Sequence, residues 1–215
     1  MKIAIKIGGS ILCNERGINR HYLKKISPII NDLKKKCELL ILGIGGGKFV
    51  RNYFSTIRDL CTNEEMEWIG IDLLRANARF LAYYFGGKPV FDLNEIPKSR
   101  VLTISGIAPN RSTDANTILL GVKKKINLFI VLTNVDGIYD RNPKLPNAKL
   151  IKNLTFEELD KLKKKSVSPG NYGVVDNTAL DIIKEYKIHT YVINGKNPNN
   201  LLKVVNGINV GTEIC

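Results

Sequence analysis

The sequence lacks the long apolar segments that would connect the chain to a membrane. None of its apolar runs approaches the roughly 20 residues that a membrane-spanning helix needs. The first ten residues, MKIAIKIGGS, have neither the apolar core nor the cleavage site of a secretory signal. We therefore expect a cytoplasmic protein with no membrane partner.

Cysteine and histidine are scarce and scattered. The four cysteines form no CxxC pair: Cys13, Cys37, Cys61 and Cys215. His21 and His189 lie in plain helix and strand contexts, and there is no cluster of carboxylates. These patterns predict free thiols and ordinary structural histidines, with no metal site built by the protein and no disulfide framework.

Acidic residues are few compared with basic ones, 20 against 33, which gives a net charge of +13. Such a charge favours polyanionic partners, either nucleic acid or small phosphorylated molecules. Three lysine triplets, 34–36, 123–125 and 163–165, each follow a helical pattern. Because cations stabilise the carboxyl ends of helices, we interpret the triplets as solvated helix ends and do not expect nucleic acid as a partner.

Short apolar runs alternate with longer amphipathic segments over the 215 residues. The predicted strands are Met1–Ile7, Glu38–Leu42, Pro89–Phe91, Val101–Ser105, Asn127–Leu132 and His189–Ile193. The predicted helices cover Asn19–Lys36, Lys48–Leu60, much of Asn63–Tyr84, a segment from Asp114, Thr155–Lys165, Asp176–Glu185 and Asn199–Val205. This alternation is typical of an α/β fold with a mainly parallel central sheet and helices on both faces.

Two helix starts depend on local signals. Pro28 either kinks the first helix or marks a new start capped by Ser27. Thr155 and Glu158 have the spacing of a capping box.

Three polar loops follow predicted strands: Gly8–Ser10, Gly45–Lys48 and Thr133–Gly137. In a parallel sheet, ligands bind at the carboxyl ends of the strands, so we expect these loops to meet at one edge. The stretch LILGIGGGKFVR matches neither a Walker A loop, because Leu42 and Phe49 stand where Gly and Ser or Thr are needed, nor a dinucleotide fingerprint. Another anion-binding arrangement, or a plain turn, has to explain it.

Single residues in these segments leave alternatives open. Lys6 precedes a glycine pair whose backbone N–H groups could approach an anion, although such turns often carry glycine for structural reasons alone. Asp114 opens a predicted helix, where it either caps the helix or holds a lysine ammonium. The segment TNVDGIYDRNP combines two turns with polar residues that a turn does not require, which favours ligand contact.

Five motifs together, KIGGS, GGGKFVR, STDA, TNVDGIYDRNP and GTEI, resemble the amino-acid kinase superfamily in order and spacing over almost the whole chain. Three further segments, IGIDLLRANA, SGIAPNRSTDA and GVVDNTALDII, most resemble archaeal-type UMP kinases. The resemblance implies a three-layer α/β sandwich with one kinase domain over residues 1–215. Its acceptor-binding lobe would cover about 1–125 and its ATP-binding lobe about 126–215.

The same resemblance implies transfer of the γ-phosphoryl group of MgATP to UMP, giving UDP in pyrimidine biosynthesis. ATP would bring Mg²⁺ with it, and the subunits would form a homo-oligomer, a dimer or a hexamer of dimers. Lys6 and Asp114 would be catalytic, with Asp114 organising the cations. The phosphoryl and ATP contacts implied by the motifs are Gly9, Ser10, Gly47, Arg51, Thr133, Asn134, Tyr139 and Asn142. The implied acceptor contacts are Gly46, Glu67, Gly106, Ile107, Ala108, Pro109, Asn110, Arg111, Ser112 and Thr113.

Several residues depart from the UMP kinase pattern and keep other acceptors open. Lys6 is typical of carboxylate and isoprenoid-phosphate kinases, Glu67 replaces an expected aspartate, and Arg111 enters the uridine segment. One alternative is a sister kinase for another phosphomonoester, such as isopentenyl phosphate or a cofactor precursor. A second is a non-catalytic protein that binds nucleotides or RNA.

Overall fold

Ten strands and eight helices form within residues 1–166 and 174–215, which the computed structural model describes, without the side chains of 163–166. The strands are β1 (Lys2–Ile7), β2 (Cys13–Asn14), β3 (Gly17–Ile18), β4 (Leu39–Ile44), β5 (Lys88–Val90), β6 (Val101–Ile104), β7 (Leu128–Thr133), β8 (Asn153–Leu154), β9 (Thr190–Asn194) and β10 (Thr212–Ile214). The helices are α1 (Gly9–Leu12), α2 (Arg20–Lys36), α3 (Gly47–Ile57), α4 (Asn63–Phe85), α5 (Thr113–Lys124), α6 (Leu159–Ser166), α7 (Asn177–Glu185) and α8 (Asn199–Val205).

Eight of the strands form one sheet in the order β5-β6-β4-β1-β7-β9-β10-β8. The strands from β5 to β9 in this order are all parallel, whereas β10 runs antiparallel to β9 and parallel to β8. The mainly parallel α/β sheet predicted from the sequence is therefore confirmed. The strands β2 and β3 form a separate hairpin, which the sequence did not predict because two-residue strands show no periodicity.

Alternate residues of the central strands enter two hydrophobic cores. Ile3, Ile5 and Ile7 of β1 pack in one core with residues of α2, α4 and α8. Ala4 packs in the other core with residues of α5 and α7. Since successive side chains of a strand point to opposite faces, this division places helices on both sides of the sheet.

Helix α2 runs without a break through Pro28, so the predicted second start at this residue is wrong. Asn19 caps the helix by accepting a hydrogen bond from the Tyr22 N–H at 3.1 Å. Ser27 does not cap a helix, because its hydroxyl donates to the Leu23 carbonyl inside α2. Pro28 lies on the exposed face of the helix, where water can take the place of the missing N–H donor.

Two other helix starts refine the sequence prediction. Thr155 and Glu158 exchange the predicted capping-box hydrogen bonds, with Thr155 N to Glu158 Oε2 at 3.0 Å, but α6 begins only at Leu159 after a turn. Ser112 caps α5 by accepting from the Ala115 N–H at 3.0 Å, so Asp114 is not the cap.

The other predictions from composition have mixed outcomes. The first two lysine triplets lie at the ends of α2 and α5 as predicted, whereas the side chains of the third lie outside the described residues.

All four cysteines are free, and burial raises the pKa of the Cys13 thiol to about 11. None of the described helices is both long and apolar enough to cross a membrane.

Candidate active site

The three predicted polar loops leave the sheet at the same level. Ile7, at the end of β1, lies opposite Ile44 of β4 and Leu132 of β7. The three strands are parallel neighbours, so the loops that follow them emerge side by side at the carboxyl edge. The sequence prediction that these loops meet at one edge is confirmed.

The first two glycine loops touch each other through their backbones. A Cβ atom added to Gly9 would lie 2.1 Å from the nitrogen of Gly47, and one added to Gly47 would lie 2.1 Å from the carbonyl oxygen of Gly9. Gly47 also has a φ of 62°, a backbone conformation that favours glycine. The absence of side chains at Gly9 and Gly47 thus lets the loop after β1 pack directly on the loop after β4. Neither the Walker A loop nor the dinucleotide fingerprint describes this arrangement.

Helix α3 begins directly at this contact. Its first residue is Gly47, and no side chain caps its first turn. The first N–H groups of a helix have no acceptor within the helix, so they are available to an anion. The loop after β4 therefore combines close backbone approach with uncapped donors.

Lys6 and Asp114 form a largely buried ion pair beside the glycine loops. Lys6 Nζ lies 2.6 Å from Asp114 Oδ1, and the two side chains are 15% and 9% exposed. Lys6 belongs to β1, where it lies opposite Gly43 of β4. A Cβ atom at Gly43 would overlap the Thr117 side chain of α5, so this glycine allows α5 to pack close to the sheet and bring Asp114 to Lys6.

A second carboxylate, that of Asp176, lies near Asp114. It accepts a hydrogen bond from the Ser112 hydroxyl and caps α7 by accepting from the Ala179 N–H at 3.1 Å. Burial raises the pKa of Asp114, the Lys6 ammonium opposes that rise, and the charge of Asp176 adds to it. The sequence analysis did not assign Asp176 to the site. Its position just before α7 indicated only a helix cap.

Residues 106–113, which we call the acceptor loop, run from the second residue after β6 to the first residue of α5. Glu67 of α4 accepts a hydrogen bond from the Asn110 N–H at 3.0 Å, and the guanidinium of Arg75 donates to the Ile107 carbonyl at 3.1 Å. The structure therefore brings Glu67 to the acceptor loop, as the motif comparison implied, and adds Arg75. Arg111 is exposed.

The two predicted acceptor glycines share one neighbour. A Cβ atom on Gly46 would lie 3.1 Å from Leu74 Cδ2, and one on Gly106 would lie 3.2 Å from Leu74 Cδ1. Leu74 lies one turn after Ile71 in α4 and contacts both the glycine loop and the acceptor loop. This contact was not predictable from the sequence, because a leucine in an amphipathic helix is usually a core residue.

The loop after β7, which carries the predicted ATP contacts, is organised by Asp136. Its carboxylate accepts from the Tyr139 hydroxyl at 3.2 Å and from the Asn194 side-chain amide at 2.8 Å. Burial and the nearby Asp136 charge raise the pKa of Tyr139. Asn142 stabilises the following turn, since its side chain accepts from the Lys144 N–H at 3.0 Å.

Four of the predicted ATP and phosphoryl contacts lie at the surface of the site: Thr133, Asn134, Ser10 and Arg51. Thr133 ends β7 and Asn134 starts the loop that follows, with Thr133 Oγ1 3.5 Å from Asn134 Oδ1. Ser10 is exposed on α1, and Arg51 is exposed on the second turn of α3. Arg51 forms no hydrogen bond or ion pair with another described residue, so the structure leaves it open to solvent next to Gly47.

Known proteins resemble this chain along its full length. The uridylate kinase of Methanothermobacter thermautotrophicus is 34% identical over 225 residues, which cover 100% of this chain and 99% of the relative. The uridylate kinase of Archaeoglobus fulgidus is also 34% identical, with 100% of both chains covered.

Solved structures agree with these sequence relatives. The crystal structure of uridylate kinase from Archaeoglobus fulgidus superposes with a TM-score of 0.86 at 32% identity, covering 100% of each chain. UMP kinase from Ureaplasma parvum, at 22% identity and a TM-score of 0.79, shares the fold. The model of the amino acid kinase family matches residues 1–94 and 96–194. This chain therefore belongs to the amino acid kinase family.

Proposed function

We propose that the protein is a uridylate kinase, which transfers the γ-phosphoryl group of ATP to UMP and releases UDP and ADP. The observation that carries the proposal is the contact between the Gly9 and Gly47 loops beside the buried pair of Lys6 and Asp114. The full-length similarity to archaeal uridylate kinases supports the choice of UMP as the acceptor.

The reaction joins two anions and needs little covalent chemistry from the protein. A phosphate oxygen of UMP forms a bond to the γ-phosphorus of ATP, while the bond from that phosphorus to the β–γ bridging oxygen breaks. The UMP phosphate is already ionised, so no general base is required. The protein has to align the two phosphates and neutralise their charge, which is its main task in phosphoryl transfer.

Lys6 is the cation that we assign to the transferring group. Its ammonium would stabilise the charge on the γ-phosphoryl oxygens, and Asp114 would hold that ammonium in place. Because little water reaches the pair, the interaction of Lys6 with a phosphate would be stronger than at an exposed position. We assign catalysis to these two residues.

The remaining roles follow the loops. Gly9 and Ser10 would contact the transferring phosphoryl group, and Gly47 and Arg51 would bind the phosphates at the start of α3. Thr133, Asn134, Tyr139 and Asn142 would line the ATP site. Gly46, Glu67 and the acceptor loop, Gly106, Ile107, Ala108, Pro109, Asn110, Arg111, Ser112 and Thr113, would bind UMP.

The site fits a nucleotide that brings its own Mg²⁺. The approach of backbone to backbone at Gly9 and Gly47 leaves no room for a side chain, so only backbone N–H groups and the nearby cations are offered to a phosphate at this contact. Asp114 is paired with Lys6, so we assign it to holding that ammonium and assign the Mg²⁺ to the phosphates of the nucleotide. Bound to the ATP phosphates, Mg²⁺ would neutralise charge that develops on the leaving group.

The larger-scale assignments are also proposals. We propose one kinase domain with an acceptor lobe over about 1–125 and an ATP lobe over about 126–215, acting in the cytoplasm where its nucleotide substrates occur. A homo-oligomer, either a dimer or a hexamer of dimers, follows from the family resemblance.

A panel of acceptors tests the proposal. The protein is incubated with MgATP and UMP, CMP, AMP or isopentenyl phosphate, and the products are separated by chromatography. We expect UDP to form with the highest kcat/KM. Turnover of another acceptor without UDP formation would identify a sister kinase, which the unusual Lys6 and Arg111 would then explain. Salt-sensitive RNA binding without phosphoryl transfer would instead support a binding protein.

A further inference from the structure

Asn116 contacts both ends of the acceptor loop. Its side-chain amide donates to the carbonyl oxygen of Ser105, the residue just before the loop, at 2.9 Å. Its backbone N–H makes the first-turn hydrogen bond of α5 to the carbonyl oxygen of its N-cap Ser112, near the end of the loop, at 3.0 Å, which any residue except proline would also make at this position. A single residue on α5 thus ties the end of β6 to the start of the next helix.

The position of Asn116 is costly for an asparagine. The residue is 0% exposed in the first turns of α5, although asparagine is a poor helix former and a buried amide needs hydrogen-bond partners. Asn116 Oδ1 and Ser105 Oγ are both buried without a partner among the described residues. A local choice that costs stability points to a requirement elsewhere in the structure. Here the half of the amide that has a partner, its NH2 group, bonds the residue immediately before the acceptor loop.

The two hydrogen bonds from α4 reach the middle of the loop, while Ser112 near its far end bonds Asp176 and caps α5. Arg75 bonds Ile107, and Glu67 bonds Asn110, which has a φ of 58°. These two side chains belong to α4 and are half-buried or exposed. They can shape the loop only if its two ends keep a fixed separation, and the amide of Asn116 supplies that restraint from the buried side.

We infer that Asn116 is a positioning residue that closes the base of the acceptor loop and so sets the shape of the loop that receives the acceptor. The inference rests on the proposed function for the identity of the acceptor. It does not place Asn116 in contact with substrate. Ser105 Oγ and Asn116 Oδ1, which have no partner among the described residues, leave hydrogen-bonding capacity at the base of the loop.

Hydrogen exchange on the ligand-free protein tests the restraint without any substrate. Asn116→Leu keeps the size of the side chain and removes the amide, and Asn116→Ser serves if the leucine variant does not fold. We expect amide exchange in residues 106–112 to become about fivefold to tenfold faster, which corresponds to the loss of one neutral hydrogen bond. The matched control is Thr190→Val, which removes a buried side-chain hydrogen bond to Ile188 at the opposite end of the sheet.

Steady-state kinetics test the consequence for the acceptor. We expect the Asn116 variants to raise the KM for UMP about fivefold to tenfold, while kcat and the KM for ATP change less than twofold and Thr190→Val changes none of the three. Unchanged exchange in 106–112, or an equal rise in KM for Thr190→Val, would overturn the inference. If the wild-type protein does not use UMP, the proposed function fails, and the exchange experiment still decides the role of Asn116.

Discussion

At the scale of single residues, the buried ion pair of Lys6 and Asp114 is the one whose disruption we expect to cost the most free energy. Removing one partner of a buried ion pair leaves the other charge without compensation and costs about 3–5 kcal/mol, whereas exposed pairs contribute about 0–1 kcal/mol. The pair of Lys36 and Asp32 offers an internal comparison, because those side chains are 67% and 41% exposed.

We expect Asp114→Asn to lower the free energy of unfolding by about 3 kcal/mol and kcat by about 100-fold, because Lys6 loses the carboxylate that holds it. Urea denaturation and initial-rate kinetics measure the two effects. The control Asp32→Asn should change the free energy of unfolding by less than about 1 kcal/mol and leave kcat unaltered. Normal turnover in a folded Asp114→Asn variant would remove Asp114 from the catalytic set.

The sequence predicted part of this arrangement. It named Lys6 and Asp114 and left two roles open for the aspartate, and the structure selects the contact with lysine because Ser112 already caps α5. The role of Asp176 was not predictable, since it reaches Ser112 from a position 64 residues further along the chain. Contacts between distant segments depend on how helices pack on the sheet, which local motifs do not encode.

At the scale of elements, the contact between the Gly9 and Gly47 loops predicts that a side chain at either position would impair activity. We expect Gly47→Ala to lower kcat/KM at least about 100-fold, because the new Cβ would overlap the Gly9 carbonyl and separate the loops. Steady-state kinetics with MgATP and UMP measure this effect.

Gly207→Ala is the matched control for the glycine variant. Gly207 has a φ of 81°, but a Cβ atom there would meet nothing within 4 Å, so the substitution introduces backbone strain without a collision. The control should cost about 1–2 kcal/mol of stability and retain full activity. Similar losses of activity in both variants would show that backbone strain, rather than the contact with Gly9, explains the effect.

The contacts of Glu213 on β10 with Tyr191 and His189 predict how the stability of the fold depends on pH. Glu213 accepts hydrogen bonds from the Tyr191 hydroxyl at 2.6 Å and contacts His189 Nε2 at 2.7 Å, and these contacts lower the pKa of Glu213 from its usual 4.5. A lowered carboxyl pKa stabilises the folded state above pH 4.5 and loses this effect as the pH falls below that value. The stability advantage of the wild type over Glu213→Gln should therefore shrink below pH 4.5.

Urea denaturation between pH 3 and pH 7 measures that difference, and Tyr191→Phe provides a second variant. Because the Tyr191 hydroxyl is the main cause of the lowered pKa, this variant should weaken the same pH dependence. A constant difference between wild type and Glu213→Gln across the range would contradict the assignment.

The elements themselves were largely predictable. Long apolar strands such as β7 and amphipathic helices such as α2 show clear periodicity, and the sequence located both to within a few residues. The hairpin of β2 and β3 and the two-residue β8 were missed, because tertiary pairing rather than sequence pattern defines such short strands. Helix α6 was predicted four residues early because its capping box encloses a turn.

At the scale of the whole molecule, the excess of 33 basic over 20 acidic residues acts on every anionic substrate. We expect kcat/KM for UMP to fall severalfold when the salt concentration rises from about 0.01 M to 0.15 M, because the Debye length shortens from about 30 Å to about 8 Å. The effect should appear mainly in KM.

Initial rates at several potassium chloride concentrations check this expectation, with pH and free Mg²⁺ held constant. Circular dichroism at each concentration shows whether the fold is retained. A kcat/KM that does not depend on salt would mean that local contacts, rather than the overall charge, govern substrate capture.

The pairing of β1 with β7 has a consequence for synthesis of the chain. Lys2 hydrogen-bonds to Asn127, which lies 125 residues further along, and β1 is the central strand between β4 and β7. At a translation rate of about 5–20 residues per second, roughly 6–25 s pass between the synthesis of the apolar strand β1 and that of its second neighbour. The strand that carries Lys6 therefore has only one of its two sheet neighbours, β4, during that interval, and its other edge stays unpaired until β7 has been made.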